Sequence, residues 1–317
     1  MKIHTFIFHI LQKMQEYMDG EAEISLRDIT KNNGVVLTGL TFVQKNINIS
    51  PTIYLEEFYK EYKEGRTLED IVEEIKKIYY ESKLEKSIDM DFFTEYDKAK
   101  KNIVYKLIHY DRNKELLEKI PHRKFLDLAI VYYYLVDMKE FTNATILIHN
   151  THMESWNKTE EDLYIQAQQN TPRLLKVNFC GMMDILKELT EEDYIYMENR
   201  SGLETDRMEI QDLLLEMQVR RDETGMYVLS NFSRLYGASA ILYPGVKEAC
   251  AKQFKTGFFI LPSSVHELIL VPDEGQVSKE KLEQMVREVN ETQVDPQEHL
   301  SDFVYYYNAE TRGIVRL

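Results

Sequence analysis

The stretch from Ile24 to Val43, ISLRDITKNNGVVLTGLTFV, contains the clearest structural signal in the chain. Two β-rich runs flank the dipeptide Asn33-Gly34, and these two residue types accept the positive φ angles that a tight hairpin turn requires. Strands joined by so short a turn pair antiparallel. The stretch therefore predicts a β-hairpin and favours an antiparallel sheet.

Amphipathic helices surround this hairpin. Apolar residues recur at helical spacing in three stretches, which are 3–18, 53–65 and 67–79. Thr67 followed by Asp70 is typical of a helix N-cap with a carboxylate three residues later. Residues 1–86 are therefore predicted to form a small lobe of a helix, a β-hairpin and two further helices.

The rest of the chain, residues 87–317, is predicted to form a larger domain. Its apolar, β-branched and aromatic runs predict strands at 103–110, 125–136, 145–149, 226–229, 258–261, 268–271, 303–307 and 313–316. Helical patterns cover 159–169, 181–221, 238–254 and 277–289. Because the strands come in clusters, the pattern favours an α+β fold with a mainly antiparallel sheet and packed helices over a doubly wound parallel sheet.

Cysteine usage and hydropathy indicate the compartment. Cys180 and Cys250 have no CxxC partner, so the sequence encodes neither a disulfide framework nor a cysteine zinc site. No small-residue cleavage site follows the apolar start of the chain, and no uncharged apolar run reaches the roughly 18 residues that span a bilayer. We predict a cytoplasmic protein with no membrane association.

Acidic charge dominates the surface chemistry, with a formal net charge of −15. Eleven acidic residues lie between Asp184 and Glu216, where only three residues are basic. Proteins that read nucleic acids gain affinity by neutralising phosphates with Lys and Arg, so this charge argues against a nucleic-acid partner. Two interpretations stay open: a solvated surface that maintains solubility, or a surface that engages a basic protein partner or imitates DNA.

The run Ser263–Glu267 holds the three groups of a nucleophilic triad in Ser264, His266 and Glu267. In an extended segment, Ser264 and His266 share one face and Glu267 takes the other, so the three cannot form a relay by themselves. Turn chemistry alone also accounts for the serines. A structural role for His266 is the stronger interpretation, and catalysis is the weaker one.

A second group, His149, His152 and Glu154, offers metal donors at the end of a predicted strand. The helical His-Glu-x-x-His frame of a zinc peptidase is missing. Nearby histidines at a strand end more often cap or pair with backbone groups. The sequence also lacks a Gly-x-Gly-x-x-Gly fingerprint and a phosphate loop, so we predict neither a metal nor a nucleotide cofactor.

Several further motifs carry a resemblance to a known family. They are ATILIHN at 144–150, Trp156, TEEDL at 159–163, MYVLSN at 226–231, GASAILYPG at 237–245 and FILPSSVHE at 259–267. Together they resemble an uncharacterised domain-of-unknown-function family of Clostridia and related gut Firmicutes, sometimes encoded near mobile elements. The resemblance covers nearly the whole chain and implies a bacterial cytosolic protein, but it supplies no activity, catalytic residue or cofactor.

The leading hypothesis is a non-enzymatic, protein-binding accessory or regulatory factor. The alternative is a hydrolase that uses His266, or a metal-dependent enzyme that uses His149 and His152. Convergence of these side chains with Glu267 in one concave pocket would favour an enzyme, whereas scatter would favour the binding protein.

Overall fold

The computed structural model of the chain describes residues 1–18, 20–136, 144–185, 222–275 and 278–317. The acidic segment Asp184–Glu216, apart from its first two residues, lies outside the described residues. The described chain divides into two compact units, Met1–Asp91 and Phe92–Leu317. Both units combine helices with antiparallel sheets, so the predicted α+β class is confirmed.

The first unit contains three helices and one three-stranded sheet. The helices are α1 (Ile3–Tyr17), α2 (Glu56–Lys63) and α3 (Leu68–Ser82), and the strands are β1 (Glu23–Thr30), β2 (Val36–Val43) and β3 (Thr52–Tyr54). The sheet order is β1-β2-β3. Asn33 and Gly34 have φ angles of 61° and 71°, which confirms the predicted hairpin turn. The helix predicted from residue 53 begins only at Glu56, because Ile53 belongs to β3, where it pairs with Leu40 of β2.

The core of the first unit lies between α1, α3 and one face of the sheet. Residues three and four apart on a helix share a face, and alternate residues on a strand do the same. The fully buried side chains follow these spacings: Phe6, Ile10 and Met14 on α1, Leu40 and Phe42 on β2, and Ile71, Ile75 and Tyr79 on α3. Burial of each aliphatic, Met or Phe side chain among them stabilises the unit by roughly 1.5–3 kcal/mol.

The second unit contains two antiparallel sheets and short helices. Its helices are α4 (Asp91–Thr94, starting at the unit boundary), α5 (Tyr96–Ala99), α6 (Lys114–Leu117), α7 (Asn150–Trp156), α8 (Glu160–Leu174), α9 (Val246–Phe254) and α10 (Lys279–Thr292). Its strands are β4 (Ile103–His109), β5 (His122–Phe125), β6 (Leu128–Leu135), β7 (Thr145–Leu147), β8 (Val177–Gly181), β9 (Tyr227–Asn231), β10 (Phe258–Pro262), β11 (Leu268–Pro272), β12 (Tyr305–Asn308) and β13 (Gly313–Arg316).

Strand pairing in the second unit follows the clusters seen in the sequence. One sheet has the order β4-β6-β5, with β7 also paired to β6, and the other has the order β13-β12-β10-β11-β9-β8. The helix predicted over 238–254 is divided into a 3₁₀ turn at Gly237–Leu242 and α9, which begins after Gly245 at a φ of 81°. Pro244 therefore marks a break between two elements, because proline cannot continue the hydrogen-bond ladder of a helix.

Among the described residues, neither Cys180 nor Cys250 forms a disulfide. Burial raises the pKa of Cys250 to about 12. At neutral pH this thiol is protonated and is therefore a poor nucleophile. Among the described residues, no helix is both long enough and apolar enough to cross a bilayer.

Candidate functional site

The predicted catalytic group lies in the tight turn Ser263–Glu267, which joins β10 to β11. The backbone N–H of Ser264 donates to the carbonyl of Glu267 at 3.2 Å, and the backbone N–H of His266 donates to the hydroxyl of Ser264 at 3.0 Å. The hydroxyl of Ser263 lies 3.4 Å from the carboxylate of Glu267. The segment is a turn rather than extended, and its hydroxyls stabilise that turn.

The imidazole of His266 supports a neighbouring loop. Its Nδ1 lies 2.9 Å from the carbonyl of Arg234 and 3.2 Å from the backbone nitrogen of Tyr236, and its ring stacks on Tyr236 with centroids 5.5 Å apart. Arg234 and Tyr236 have φ angles of 49° and 53°, a region that costs energy for residues with a side chain. The Nε2 of His266 lies 3.5 Å from the carboxylate of Glu298. His266 therefore holds a strained loop in place.

The predicted metal donors stand at the start of α7. The Nδ1 of His152 accepts the backbone N–H of His149 at 3.0 Å and so caps the helix. The ring of His152 packs against Phe93 and Trp156, and burial, followed by the neighbouring His149, lowers the pKa of His152. Among the described residues, no hydrogen bond or ion pair joins the carboxylate of Glu154 to His149 or His152. Within the described ranges, no group of three or more His, Cys, Asp or Glu side chains could hold a metal ion.

The two predicted groups do not meet. His149 and His152 contact the aromatic side chains around α7, whereas His266 contacts Tyr236 and Glu298. In the part of the chain that the structure describes, no hydrogen bond, ion pair or ring contact joins one group to the other. The convergence expected of an enzyme built from these residues is therefore not seen.

Sequence reasoning missed a buried polar cluster in the second unit, centred on Asp127. This residue is only 6% exposed, and its carboxylate accepts hydrogen bonds from the hydroxyl of Ser301 at 2.8 Å and from that of Tyr305 at 3.0 Å. Asp127 lies in the turn between β5 and β6, whereas its two partners lie at the start of β12 and just before it. The contacts therefore cross-link the two sheets of the second unit.

Arg112 extends this cluster towards the surface. Its guanidinium hydrogen-bonds to the ring of His299 and donates to Asp302 at 2.9 Å, while the Nε2 of His299 lies 3.0 Å from the same carboxylate. Burial, followed by the charge of Arg112, lowers the pKa of both His299 and His109. No histidine of this cluster contacts the hydroxyl of Ser301, which donates to Asp127 instead. The arrangement is a structural cross-link and lacks the serine-histidine contact of a hydrolase.

A groove with a mixed apolar and polar lining opens on the surface of the first unit. Phe8 is 55% exposed and Val36 is 56% exposed, although both are large and apolar. The groove has a volume of about 530 Å³, and we name it the α1–β1 groove after its lining residues His4, Ile7, Phe8, Leu26, Asp28, Val36 and Thr38. Leu26 and Val36 share a sheet face with the buried Ile24 and Leu40, so the groove continues the core to the surface.

A second groove of the first unit, of about 680 Å³, is charged rather than apolar. It runs along α3 and is lined by Arg66, Asp70, Glu73, Glu74, Lys77, Ile78 and Glu81. Most of these charges are engaged within the chain, for example Arg66 with Glu61 and Glu74. Surface ion pairs of this kind are screened by solvent, contribute little to stability and need no ligand to explain them.

These features define a two-unit α+β protein in which His152, His266 and Ser264 bond to backbone groups of the chain itself and whose first unit exposes a groove with large apolar side chains. The chain belongs to DUF5688, a family of unknown function, whose model matches residues 3–309. The predicted membership of a family without an assigned activity, over nearly the whole chain, is thereby confirmed. No curated protein and no solved structure matches the chain.

Proposed function

We propose that this protein is a non-enzymatic accessory or regulatory factor that binds another protein. The observation that carries the proposal is the α1–β1 groove, where Phe8 and Val36 are more than half exposed beside the polar His4 and Asp28. Contiguous apolar surface rimmed by polar groups is typical of protein-binding sites, because its burial removes apolar area from water.

Fewer observations support the alternative function, a hydrolase or a metal-dependent enzyme. A nucleophilic hydroxyl needs an adjacent base, whereas the hydroxyl of Ser264 accepts a backbone N–H and the Nδ1 of His266 faces backbone groups. The Nδ1 of His152 is likewise engaged by the backbone at the start of α7. These side chains have structural roles that account for their positions.

The chemistry of the partner follows from charge. A net charge of −15 attracts a basic protein, and the segment Asp184–Glu216 would supply a second contact through its eleven carboxylates. Such a contact should weaken as salt rises, because salt screens exposed charges over about 8 Å at physiological ionic strength. From the resemblance in sequence, we also propose that the protein acts in the cytosol of a Firmicute and that its role is linked to mobile elements.

The test compares two exposed valines. Val36→Arg places a charge in the α1–β1 groove and should reduce capture of the partner from a lysate of the source bacterium, since an apolar contact is lost and basic charges then repel. Val315→Arg is the matched control, because Val315 is 51% exposed on β13 of the second unit. With the purified partner, calorimetry should show about tenfold weaker binding for Val36→Arg alone, which corresponds to about 1.4 kcal/mol. Equal binding by both variants would refute the proposal.

A further inference from the structure

We propose that the α1–β1 groove receives an extended segment of the partner protein, which adds to the free edge of β1 as a new antiparallel strand. This inference rests on the proposed function and specifies how the partner is held. Three features of β1 carry it: its unpaired backbone groups, the groove beside them and the charges along the strand.

The outer edge of β1 presents backbone groups to solvent. The sheet order β1-β2-β3 places β1 at the edge. The N–H of Lys31 donates to the carbonyl of Val35 at 2.7 Å, in the same register as the β1–β2 pairs. Hydrogen-bonded pairs alternate along an antiparallel ladder, so Arg27 and Ile29 direct their backbone groups to β2. The residues that direct theirs outward are Leu26, Asp28 and Thr30.

The pairing of β2 with β3 also indicates that Asp28 directs its backbone groups away from β2. The N–H of Leu55 donates to the carbonyl of Thr38 at 3.1 Å, so Thr38 directs its backbone groups towards β3. Thr38 stands opposite Asp28 in the β1–β2 register, and that pair is therefore not hydrogen-bonded. Among the described residues, no hydrogen bond uses the backbone groups of Leu26, Asp28 or Thr30. A strand of eight residues with such an edge is a template for strand addition.

The groove lies where the side chains of an added strand would fall. The side chains of Leu26 and Asp28 share the groove face, whereas that of Arg27 lies on the other face. A residue of the new strand opposite Leu26 would lie beside Leu26 on the groove face and should be apolar. The residue opposite Asp28 should be basic, because directly opposed unlike charges stabilise a strand pair.

The order of residue types in the partner segment follows from this pairing. Read from its amino end, an antiparallel strand meets Asp28 first, then Arg27, then Leu26. The complementary order is a basic residue, an acidic residue and an apolar residue. The predicted segment is thus an extended stretch containing Lys or Arg, then Glu or Asp, then a large apolar side chain.

A second copy of this chain fits the edge less well. Outward-directed residues must meet outward-directed residues, which restricts two antiparallel copies of β1 to a few registers. The register centred on Arg27 opposes two arginines, and the register centred on Asp28 opposes two carboxylates. The register centred on Leu26 sets Asp28 against the apolar Ile24. The register centred on Ser25 pairs Arg27 with Glu23, but it needs the backbone carbonyl of Ile24. That carbonyl already accepts a hydrogen bond from the side chain of Gln15 at 3.4 Å, so a different protein fits this edge better than a second copy.

The experiment uses the full chain and a synthetic peptide, acetyl-Thr-Val-Lys-Glu-Leu-Thr-Thr-amide. At saturating peptide, amide hydrogen exchange measured by NMR should slow at least tenfold at Leu26, Asp28 and Thr30. The amides of Arg27 and Ile29, which already bond to β2, should change little. This alternation distinguishes strand addition from any other contact with the groove.

A charge exchange provides the matched control. Replacing the peptide's Lys by Glu should weaken binding to the wild type at least fivefold, and Asp28→Lys should restore binding of that altered peptide. Binding without alternating protection, or no binding at about 1 mM peptide, would overturn strand addition and leave the proposed function to the Val36→Arg capture test. Alternating protection that appears without peptide as protein concentration rises would identify a second copy as the occupant and also overturn the inference.

Discussion

His299 is buried with its Nδ1 facing the guanidinium of Arg112 and its Nε2 facing the carboxylate of Asp302. A neutral ring suits this position, because its Nδ1 can accept a hydrogen bond from the arginine while its Nε2 lies 3.0 Å from the carboxylate. Burial opposes protonation of this ring, and a protonated ring would also place a cation beside Arg112, so the pKa of His299 is lowered in the folded chain.

The sign of the pH effect follows from this lowered pKa. Below the unfolded pKa of about 6.5, the unfolded chain takes up a proton that the folded chain does not, so stability should fall as pH decreases from 7.5 to 5.5. His299→Gln should reduce that fall, while His109 still contributes to it because its pKa is lowered in the same way. Urea unfolding at the two pH values is the measurement, and an unchanged pH dependence in His299→Gln would contradict the assignment.

At the same scale, the limits of sequence reasoning are physical. Arg112 and His299 contact each other although 187 positions separate them, and Asp127 and Ser301 are 174 positions apart. No local spacing reports such contacts. The clusters that the sequence did suggest, around His266 and His149, consist of sequence neighbours, and the structure explains their proximity by a turn and a helix start.

Among the elements, α8 offers the clearest test because its predicted start is confirmed in detail. The hydroxyl of Thr159 accepts the backbone N–H of Asp162, and the carboxylate of Asp162 accepts the backbone N–H of Thr159 at 2.8 Å. Thr159→Ala should destabilise the second unit by about 1 kcal/mol. Trp156, the single tryptophan of the chain, lies just before this helix and reports the unfolding transition by fluorescence.

The control is the corresponding cap of the first unit. The hydroxyl of Thr67 accepts the backbone N–H of Asp70 at 3.1 Å at the start of α3. Thr67→Ala should lower the stability of the first unit and leave the midpoint seen by Trp156 in place. A Thr159→Ala variant with an unaltered Trp156 midpoint would show that the cap contributes nothing to stability.

Elements with a strong local period were predictable, and elements defined by pairing were not. The helices and the Asn33-Gly34 hairpin follow from residue spacing and turn chemistry. In contrast, β3 has only three residues and is defined by its register with β2, so its sequence was assigned to the following helix. The α1–β1 groove was missed for a related reason, because it depends on which part of the sheet α1 leaves uncovered.

For the whole molecule, the fold class followed from clustered strands, whereas the division into domains 1–86 and 87–317 stays a prediction. This prediction rests on the core of the unit Met1–Asp91, which consists entirely of residues of that unit. A unit with its own core can in principle fold alone. The first unit contains the whole α1–β1 groove, whereas the proposed second contact at Asp184–Glu216 lies in the other unit.

We therefore expect a fragment of residues 1–91 to fold by itself. It should unfold in urea with a single cooperative transition, followed by tyrosine fluorescence and near-ultraviolet circular dichroism, because fixed packing of Phe42 and Tyr79 persists in the fragment. Ile75→Ala, which empties a fully buried position, should lower its stability by about 2–5 kcal/mol. The matched variant Ile78→Ala, at a partly buried position of the same helix, should cost less. A fragment without a cooperative transition would show that the first unit needs the rest of the chain, and would refute the predicted division.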